Sequence, residues 1–502
     1  MHYGDANDFL ASVKKIAALV KSTLGPKGMD KILLSKNGNF LVTNDGATIL
    51  KNVMCESLSL NIIRDICGVQ DDEIGDGTTS VCCLIGELIS EAEKLRSFQI
   101  HPQLIIQGFR IAAKEAIKII EKKSFDYSKN LTDFCEQILN LARTTLNSKI
   151  ISPAREHFAR IAVKAVLKLK GSTNINSIKI IKKCGGSLKD SFIENGLILE
   201  KKIGVNQPKK IVNARILCAN TSMDADKIKI YGARIRVRTI SKLAEIEVAE
   251  QKKILDKCKK IISHGINVFV NRQLIYHRHE RFFTEHGVVT LEHADFDGIE
   301  RLALVTGAEI VSTFDIPFKI KLGKCKIVEE ILIGDETMTR FSGCPNGDTC
   351  TIIIRGSNLQ LLDEAERSIH DALCVLSQVI KDPRIVWGGG SIETQVALGL
   401  EDLAKKTIDK TSLAIESFAK AVQNLPKIVA DNAGLDSIDL INKIKTQHEM
   451  GNEKTCLDLD TGKFGNANDL GLIESSKLKT QLIISSVEAA EMMIRIDHQI
   501  SC

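Results

Sequence analysis

The sequence predicts a multidomain, α-rich protein whose middle alternates strands and helices. Three observations predict it. The chain has 502 residues, more than one hydrophobic core usually organises. Apolar residues recur at three- and four-residue spacing through both ends. Between about 178 and 355 that period gives way to short alternating or continuous apolar runs.

In order, Phe9, Val13, Ile16, Ala17 and Val20 form a helical stripe that stops at Gly25-Pro26. LGPKGMDK (24–31) follows as a loop and lacks the Gly-Lys-Ser/Thr ending of a P-loop. Residues 32–34 and 40–42 read as a hairpin turning near Lys36-Asn37-Gly38, which delivers Asn44-Asp45-Gly46 to a helix start at 47–50. GDGTTS (75–80) runs into the strongest stripe of the chain: Val81, Leu84, Ile85, Leu88, Ile89 and Leu95, one buried helix face. Residues 101–170 read as amphipathic helices. Short strands then fill 178–240, among them KIKIYGARIRVR (227–238), with Lys and Arg along one face. A helix is expected over 240–262. Strand and helix signals alternate through INVFV (266–270), GVVTL (287–291), RLALV (301–305) and TCTIIIR (349–355). Helices return from Asp363, interrupted by WGGG (387–390) and a loop around Asp458-Leu459-Asp460. Phosphate-type loops near the start and glycine loops near the end suggest that both ends make one nucleotide domain, with the middle inserted.

Charge and composition exclude several classes. The 68 basic and 63 acidic residues nearly cancel, so net +5 gives no general case for nucleic acid or an anionic membrane. The basic face at 227–238 lacks an aromatic platform, so subunit or client contact is the better reading. No run of 18 apolar residues spans a bilayer, and MHYGDANDF lacks the regions of a secretory signal. Fourteen cysteines without a C-x-x-C pair read as reduced thiols, mostly small core residues of a cytosolic protein. His277, His279, His286 and His293 fit no metal template and read as surface histidines. Trp387 reads as a packing residue beside its glycine loop.

The residues that carry chemistry cluster at helix starts. Gly75 and Gly77 let backbone approach a ligand, and free N–H groups at a helix N-terminus favour an anion. Thr78, Thr79 and Ser80 can donate to phosphate oxygens, and Asp76 is a hard oxygen ligand for magnesium. Alone, GDGTTS is equally an acidic turn capping a helix, and Asn-Asp-Gly at 44–46 a common turn. Ala365, Ile369, Ala372, Leu373 and Leu376 share one helix face, which puts Asp371 on the opposite side, open to a site across a gap.

Taken together, LGPKGMDKIL (24–33), TNDGATIL (43–50), GDGTTS (75–80), WGGG (387–390) and ADNAG (430–434) closely resemble the group II chaperonins, in order and spacing over almost the full chain. KIGVNQPKKI (202–211), NRQLIY (271–276), HADFDGIERLALVTGAEIVSTFD (293–315) and DEAERSIHDALCVL (363–376) resemble one subunit type of the eukaryotic cytosolic members. The resemblance implies group II chaperonin architecture with an α/β apical domain. The equatorial ATPase domain would span 1–130 and 387–502, the intermediate domain 131–194 and 351–386. The apical client-binding domain would span 195–350, with a helical lid protrusion at about 235–265.

It also implies bound ATP or ADP with Mg2+. Asp76 would hold the magnesium, and Gly77, Thr78, Thr79 and Ser80 would cradle the phosphates. Gly25 and Pro26 would lie along the nucleotide on its other side. Asp45 and Asp371 would be catalytic, orienting and deprotonating the attacking water. Ser148 and Lys149 would form a nucleotide-sensing loop. Gly389 would pass close to the nucleotide, and Glu474 would accept from the ribose hydroxyls, with Lys479 nearby. The implied function is ATP hydrolysis that closes a folding chamber in the cytoplasm. Seven paralogous subunits would complete each eight-membered ring, with two rings stacked. The clients would be unfolded polypeptides such as actin and tubulin, with no nucleic acid and no membrane as partner. The alternative is a ring subunit that binds nucleotide with little hydrolysis of its own.

Three departures from the family pattern set further expectations. The first helical stripe begins where the family carries a leading strand segment, and almost no tail follows the last helix, so the contacts of both are expected to be missing or replaced. Cys456 stands where a glycine is expected ahead of Leu457-Asp458, so the backbone approach to the base is expected to differ.

Overall fold

The computed structural model describes residues 3–34, 38, 40–53, 58–126, 131–169, 174–223, 240–315, 320–345 and 350–500. The basic strand face at 227–238 lies outside them. The chain divides into two compact units, one of residues 1–166, 171–175 and 358–502, the other of 167–170 and 176–357.

Both chain ends build the first unit around helix Thr78–Ser97. Helices Ala6–Lys21, Thr411–Asn432 and Ser476–Ile494 pack on it, and Pro102–Lys123 and Ser391–Lys406 complete the bundle. The expected single buried face is only part of the truth. Cys82, Cys83 and Gly86 are buried as well as Val81, Leu84, Ile85, Leu88 and Ile89. The reason is crowding from several sides: a Cβ on Gly86 would lie 2.4 Å from the Ala17 methyl, so glycine lets the first helix close in. One continuous core runs through Val13, Leu84, Phe109, Phe418 and Val487, joining residues from both ends of the chain. Removing a side chain such as Leu84, which is fully enclosed, typically costs ~2–5 kcal/mol.

Small antiparallel elements decorate this bundle. Lys31–Leu34 pairs with Phe40–Thr43, matching the expected hairpin. Arg384–Trp387 pairs with Ile473–Ser475 on one side and Phe125–Asp126 on the other. Thr455–Asp458 pairs with Lys463–Asn466. Tyr3–Asp5 forms a short strand ahead of the first helix and pairs antiparallel with His498–Ile500. Trp387 is half-buried and packs on Phe125, ring centroids 4.5 Å apart.

The second unit holds two sheets. The larger runs in the order Val289–Leu291, Val268–Asn271, Lys210–Ala219, Gly323–Ile333, Glu336–Ser342, Leu197–Leu199, with Ile310–Val311 added to Lys210–Ala219. Its first three strands are parallel, Ile310–Val311 also joins Lys210–Ala219 in parallel, and the other neighbours pair antiparallel. Helices His277–Glu285, Phe296–Thr306 and Ile240–Ile262 belong to this unit, the last with the bounds the sequence predicts. RLALV (301–305) is helical, inside Phe296–Thr306. The smaller sheet pairs Cys350–Gly356 with Ile178–Cys184 in parallel and with Phe192–Asn195 antiparallel. His279 is buried, not the surface histidine expected, because its helix lays one side on the sheet beside Phe283.

Candidate functional site

In the first unit, a cavity of about 640 Å³ opens where segments from both chain ends meet. Gly25, Pro26, Asp45, Asp76, Gly77, Thr78, Thr79, Ser80, Ser148, Lys149, Gly389, Glu474 and Lys479 all line it. Asp371 stands directly behind that wall, its Oδ2 2.7 Å from Lys149 Nζ.

The two acidic turns interlock. Asp45 caps helix Gly46–Asn52, and its Oδ2 accepts from the Thr48 N–H at 3.0 Å and the Thr48 hydroxyl at 2.7 Å. Gly46 is required sterically. A Cβ there would stand 2.6 Å from Thr79 Oγ1 and 2.9 Å from Thr79 N, inside the start of helix Thr78–Ser97. Asp76 Oδ1 accepts from the Gly77 N–H at 2.7 Å, and Gln70 Nε2 donates to the Asp76 carbonyl at 3.2 Å. Gly77 then caps the helix in the left-handed region at φ 82. The N–H groups of Thr78, Thr79 and Ser80 therefore have no intrahelical partner, and they face a cavity where the helix dipole favours negative charge.

Lys149 is the counter-charge for three acids. It follows helix Leu131–Asn147 and is almost fully enclosed. Burial alone would lower its ammonium; Asp371, Asp45 and Asp76 outweigh burial and raise it. Burial lifts the Asp371 carboxyl to about 7 against the pull of Lys149, and lifts Asp76 above the usual carboxylate range in the same way. For Asp45, burial pushes up, but Lys149 and the Thr48 hydrogen bonds pull harder, so it sits below its ordinary value. At neutral pH one of the two candidate bases is firmly ionised and the other is poised to titrate.

Asp371 stands beside the cavity through Lys149, but it is enclosed and not the solvated side chain that helix spacing suggests. Glu364, Ser368 and Asp371 are buried together with the apolar stripe of helix Leu359–Lys381. That helix packs against Leu131–Asn147, Phe40–Thr43 and Ile473–Ser475, and on its polar side Glu364 meets the Thr43 hydroxyl and Asp371 meets Lys149.

At the other end of the cavity, Glu474 sits on the short strand opposite Val386, beside the glycine loop. Its carboxylate and Glu393 both contact Lys479 Nζ, Glu393 at 2.6 Å. Burial raises Glu474, with Lys479 opposing. Cys456 is fully enclosed and is not part of the cavity wall. It lies under Gly389, the Leu457 N–H donates to the Gly389 carbonyl at 2.9 Å, and burial pushes its thiol up to about 12.

Three contributors escaped the sequence reading. Glu393 stands three residues beyond the Gly390 cap, a first-turn position that the glycine run overshadowed. Asn44 Nδ2 donates to the Ser148 carbonyl at 2.5 Å, tying the Asp45 turn to the Lys149 loop. The Thr43 hydroxyl accepts from the Asp45 N–H at 3.1 Å and donates to the enclosed Glu364 at 3.4 Å. Only the capping register of Glu393 could have been seen from local spacing.

The donor set suits a magnesium-bound polyphosphate. Three carboxylates share Lys149, and burial, with a smaller push from Asp45, raises Asp76 and Asp371, a cost of enclosing negative charge that a bound cation would relieve. Among the described residues no three His, Cys, Asp or Glu side chains form a ready-made metal cage. Magnesium is commonly held by one or two carboxylates with substrate phosphates and water. Also among the described residues, no helix is long and apolar enough to cross a membrane.

Comparison with known proteins assigns this architecture. The profile of the TCP-1/cpn60 chaperonins matches residues 16–502. This chain belongs to the TCP-1/cpn60 chaperonin family. It is similar to T-complex protein 1 subunit beta of Dictyostelium discoideum, 52% identical over 96% of this chain and 91% of that protein. The Arabidopsis thaliana subunit beta is 53% identical over 97% and 93%. That of Saccharomyces cerevisiae is 50% identical over 96% and 92%. The chaperonin subunit type to which the four stretches from 202 to 376 point is this beta type.

Proposed function

We propose that this chaperonin subunit binds and hydrolyses ATP, and that the cycle drives closure of a double-ring chamber around unfolded polypeptide in the cytoplasm. The observation that carries the reading is one cavity lined by Asp45, Asp76, Lys149 and the helix start Thr78–Ser80, with Asp371 2.7 Å from Lys149 behind its wall. Asp76 would hold magnesium, which when bound neutralises phosphate charge. The backbone and hydroxyls of Thr78, Thr79 and Ser80 hold the phosphate chain, with Gly77, Gly25 and Pro26 shaping the loops on either side. Glu474 and Lys479, with Gly389 close by, hold the ribose end. Asp45 and Asp371 orient a water and take its proton, since phosphoryl transfer is mostly positioning and charge stabilisation.

The names of the relatives, each a subunit, support assembly with other subunits; seven paralogues beside this chain in an eight-membered ring, with two rings stacked, complete the proposal. The three-domain division at 130/131, 194/195, 350/351 and 386/387 belongs to the same reading, as does a lid near 235–265. Actin and tubulin are the client class it carries. The test is ATP turnover of the assembled complex with Asp371→Ala in this subunit. A positioned base is worth roughly 10²–10⁴ in rate, so turnover at this site is expected to fall by that factor. Unchanged turnover removes Asp371 from catalysis and favours the alternative subunit that binds nucleotide with little hydrolysis.

A further inference from the structure

Two thiols stand within bonding reach on the larger sheet of the second unit. Strands Gly323–Ile333 and Glu336–Ser342 are antiparallel, with Ile327 opposite Ser342. The Lys326 N–H donates to the Gly343 carbonyl at 3.3 Å, so the register runs on past the last ladder pair and sets Cys325 opposite Cys344. Their sulfurs are 3.6 Å apart, with the Cys344 S–H directed at Cys325. A disulfide needs about 2.05 Å, a closure of roughly 1.5 Å that side-chain rotation supplies. Cys325 is enclosed and Cys344 half-buried, at the margin of the sheet core that holds Phe341 and Val328.

We propose that Cys325 and Cys344 form a peroxide-sensitive dithiol that closes to a reversible cross-strand disulfide. Their environment separates their roles. The Cys344 S–H holds the Cys325 thiol below its ordinary value, against burial, while Cys344 keeps its proton and is raised. The Cys325 S–H meets the Ser342 carbonyl at 2.9 Å and the Ile327 carbonyl at 3.2 Å, a proton that Cys325 must release to act as the nucleophile, with Cys344 as the resolving thiol. The Cys325 thiolate attacks one oxygen of hydrogen peroxide and breaks the O–O bond. Hydroxide leaves, takes a solvent proton and becomes water. Cys344 sulfur then attacks the sulfenic sulfur, and its proton leaves with the sulfenic hydroxyl as a second water. Two thiols lose two electrons and the peroxide gains them. The other close thiols, Cys67 and Cys82, are enclosed within the helical bundle, and Cys82 is pushed well above its ordinary value. Burial pushes Cys218 up to about 12 and Cys350 to about 11.

The assembled complex is treated with hydrogen peroxide, denatured, alkylated, digested and read by mass spectrometry. The expected result is a Cys325–Cys344 linked peptide, removed by dithiothreitol, that appears at least tenfold faster than Cys218 or Cys350 loses its thiol. C344S is expected to leave Cys325 as a sulfenic acid trapped by dimedone. C325S is expected to slow oxidation of Cys344 to the rate of the enclosed thiols. Peroxide that oxidises exposed Cys184 while Cys325 and Cys344 stay fully alkylatable overturns the proposal, as does a link from either cysteine to a different thiol.

Discussion

Lys149→Met isolates the electrostatic logic of the cavity. Methionine keeps most of the volume and removes the ammonium that Asp45, Asp76 and Asp371 share. The Lys149–Asp371 contact is 2.7 Å long, with side chains only 8% and 12% exposed. Removing one partner of such a pair leaves a buried charge uncompensated, which typically costs ~3–5 kcal/mol. At about 1.4 kcal/mol per tenfold, local opening should become two to four orders of magnitude more frequent. Hydrogen-exchange mass spectrometry on peptides from Leu131–Asn147 and Leu359–Lys381, in the assembled complex without nucleotide, reads this directly. The pH dependence gives a second check. Without Lys149, Asp76 and Asp371 are raised further in the folded state and Asp45 loses part of what holds it down, so the folded form binds more protons than the unfolded one. The defect should be full above the folded values and fade as pH falls toward the ordinary carboxylate range. Lys149→Met/Asp371→Asn should recover much of the loss, because the double variant buries one charge fewer. Exchange unchanged by Lys149→Met, or no recovery in the double variant, would refute the argument.

Other outcomes follow from the same geometry. With the Asp371 carboxyl near 7, ATP turnover should rise as pH climbs through about 7, and in Asp371→Asn that step should disappear from the rate profile. Gly46→Ala should strain the join between the two acidic turns by about 1–3 kcal/mol and weaken nucleotide binding measured by calorimetry, because its methyl meets Thr79 backbone. Asp76→Asn should remove the magnesium-dependent part of ATP affinity; an equal loss with and without chelator would mean that Asp76 acts only on the loop fold.

The elements legible in the sequence are those whose signal is local. The hairpin over 31–43 shows in its turn residues, and helix Ile240–Ile262 in a polar-rich run without glycine or proline. GDGTTS could be read as an anion-favouring helix start because glycine geometry and unpaired N–H groups belong to the turn itself. Asp371 shows the limit. Its helix has a clean apolar stripe, and from spacing alone the far side faces water. Thr43 and Lys149, distant in the chain, meet that side, and no pattern within residues 359–381 reports them. Glu393, Asn44 and Glu364 stayed hidden for the same reason, since each acts through a partner distant in the chain.

The amino-acid order by itself determined the helices, the strand-rich middle, the family likeness and the residue types able to meet a magnesium-bound polyphosphate. Tertiary structure alone decided which of those residues lose water and which charge answers which. Periodicity is written between neighbours a few residues apart, whereas desolvation and ion pairing depend on segments that meet only once the chain has folded.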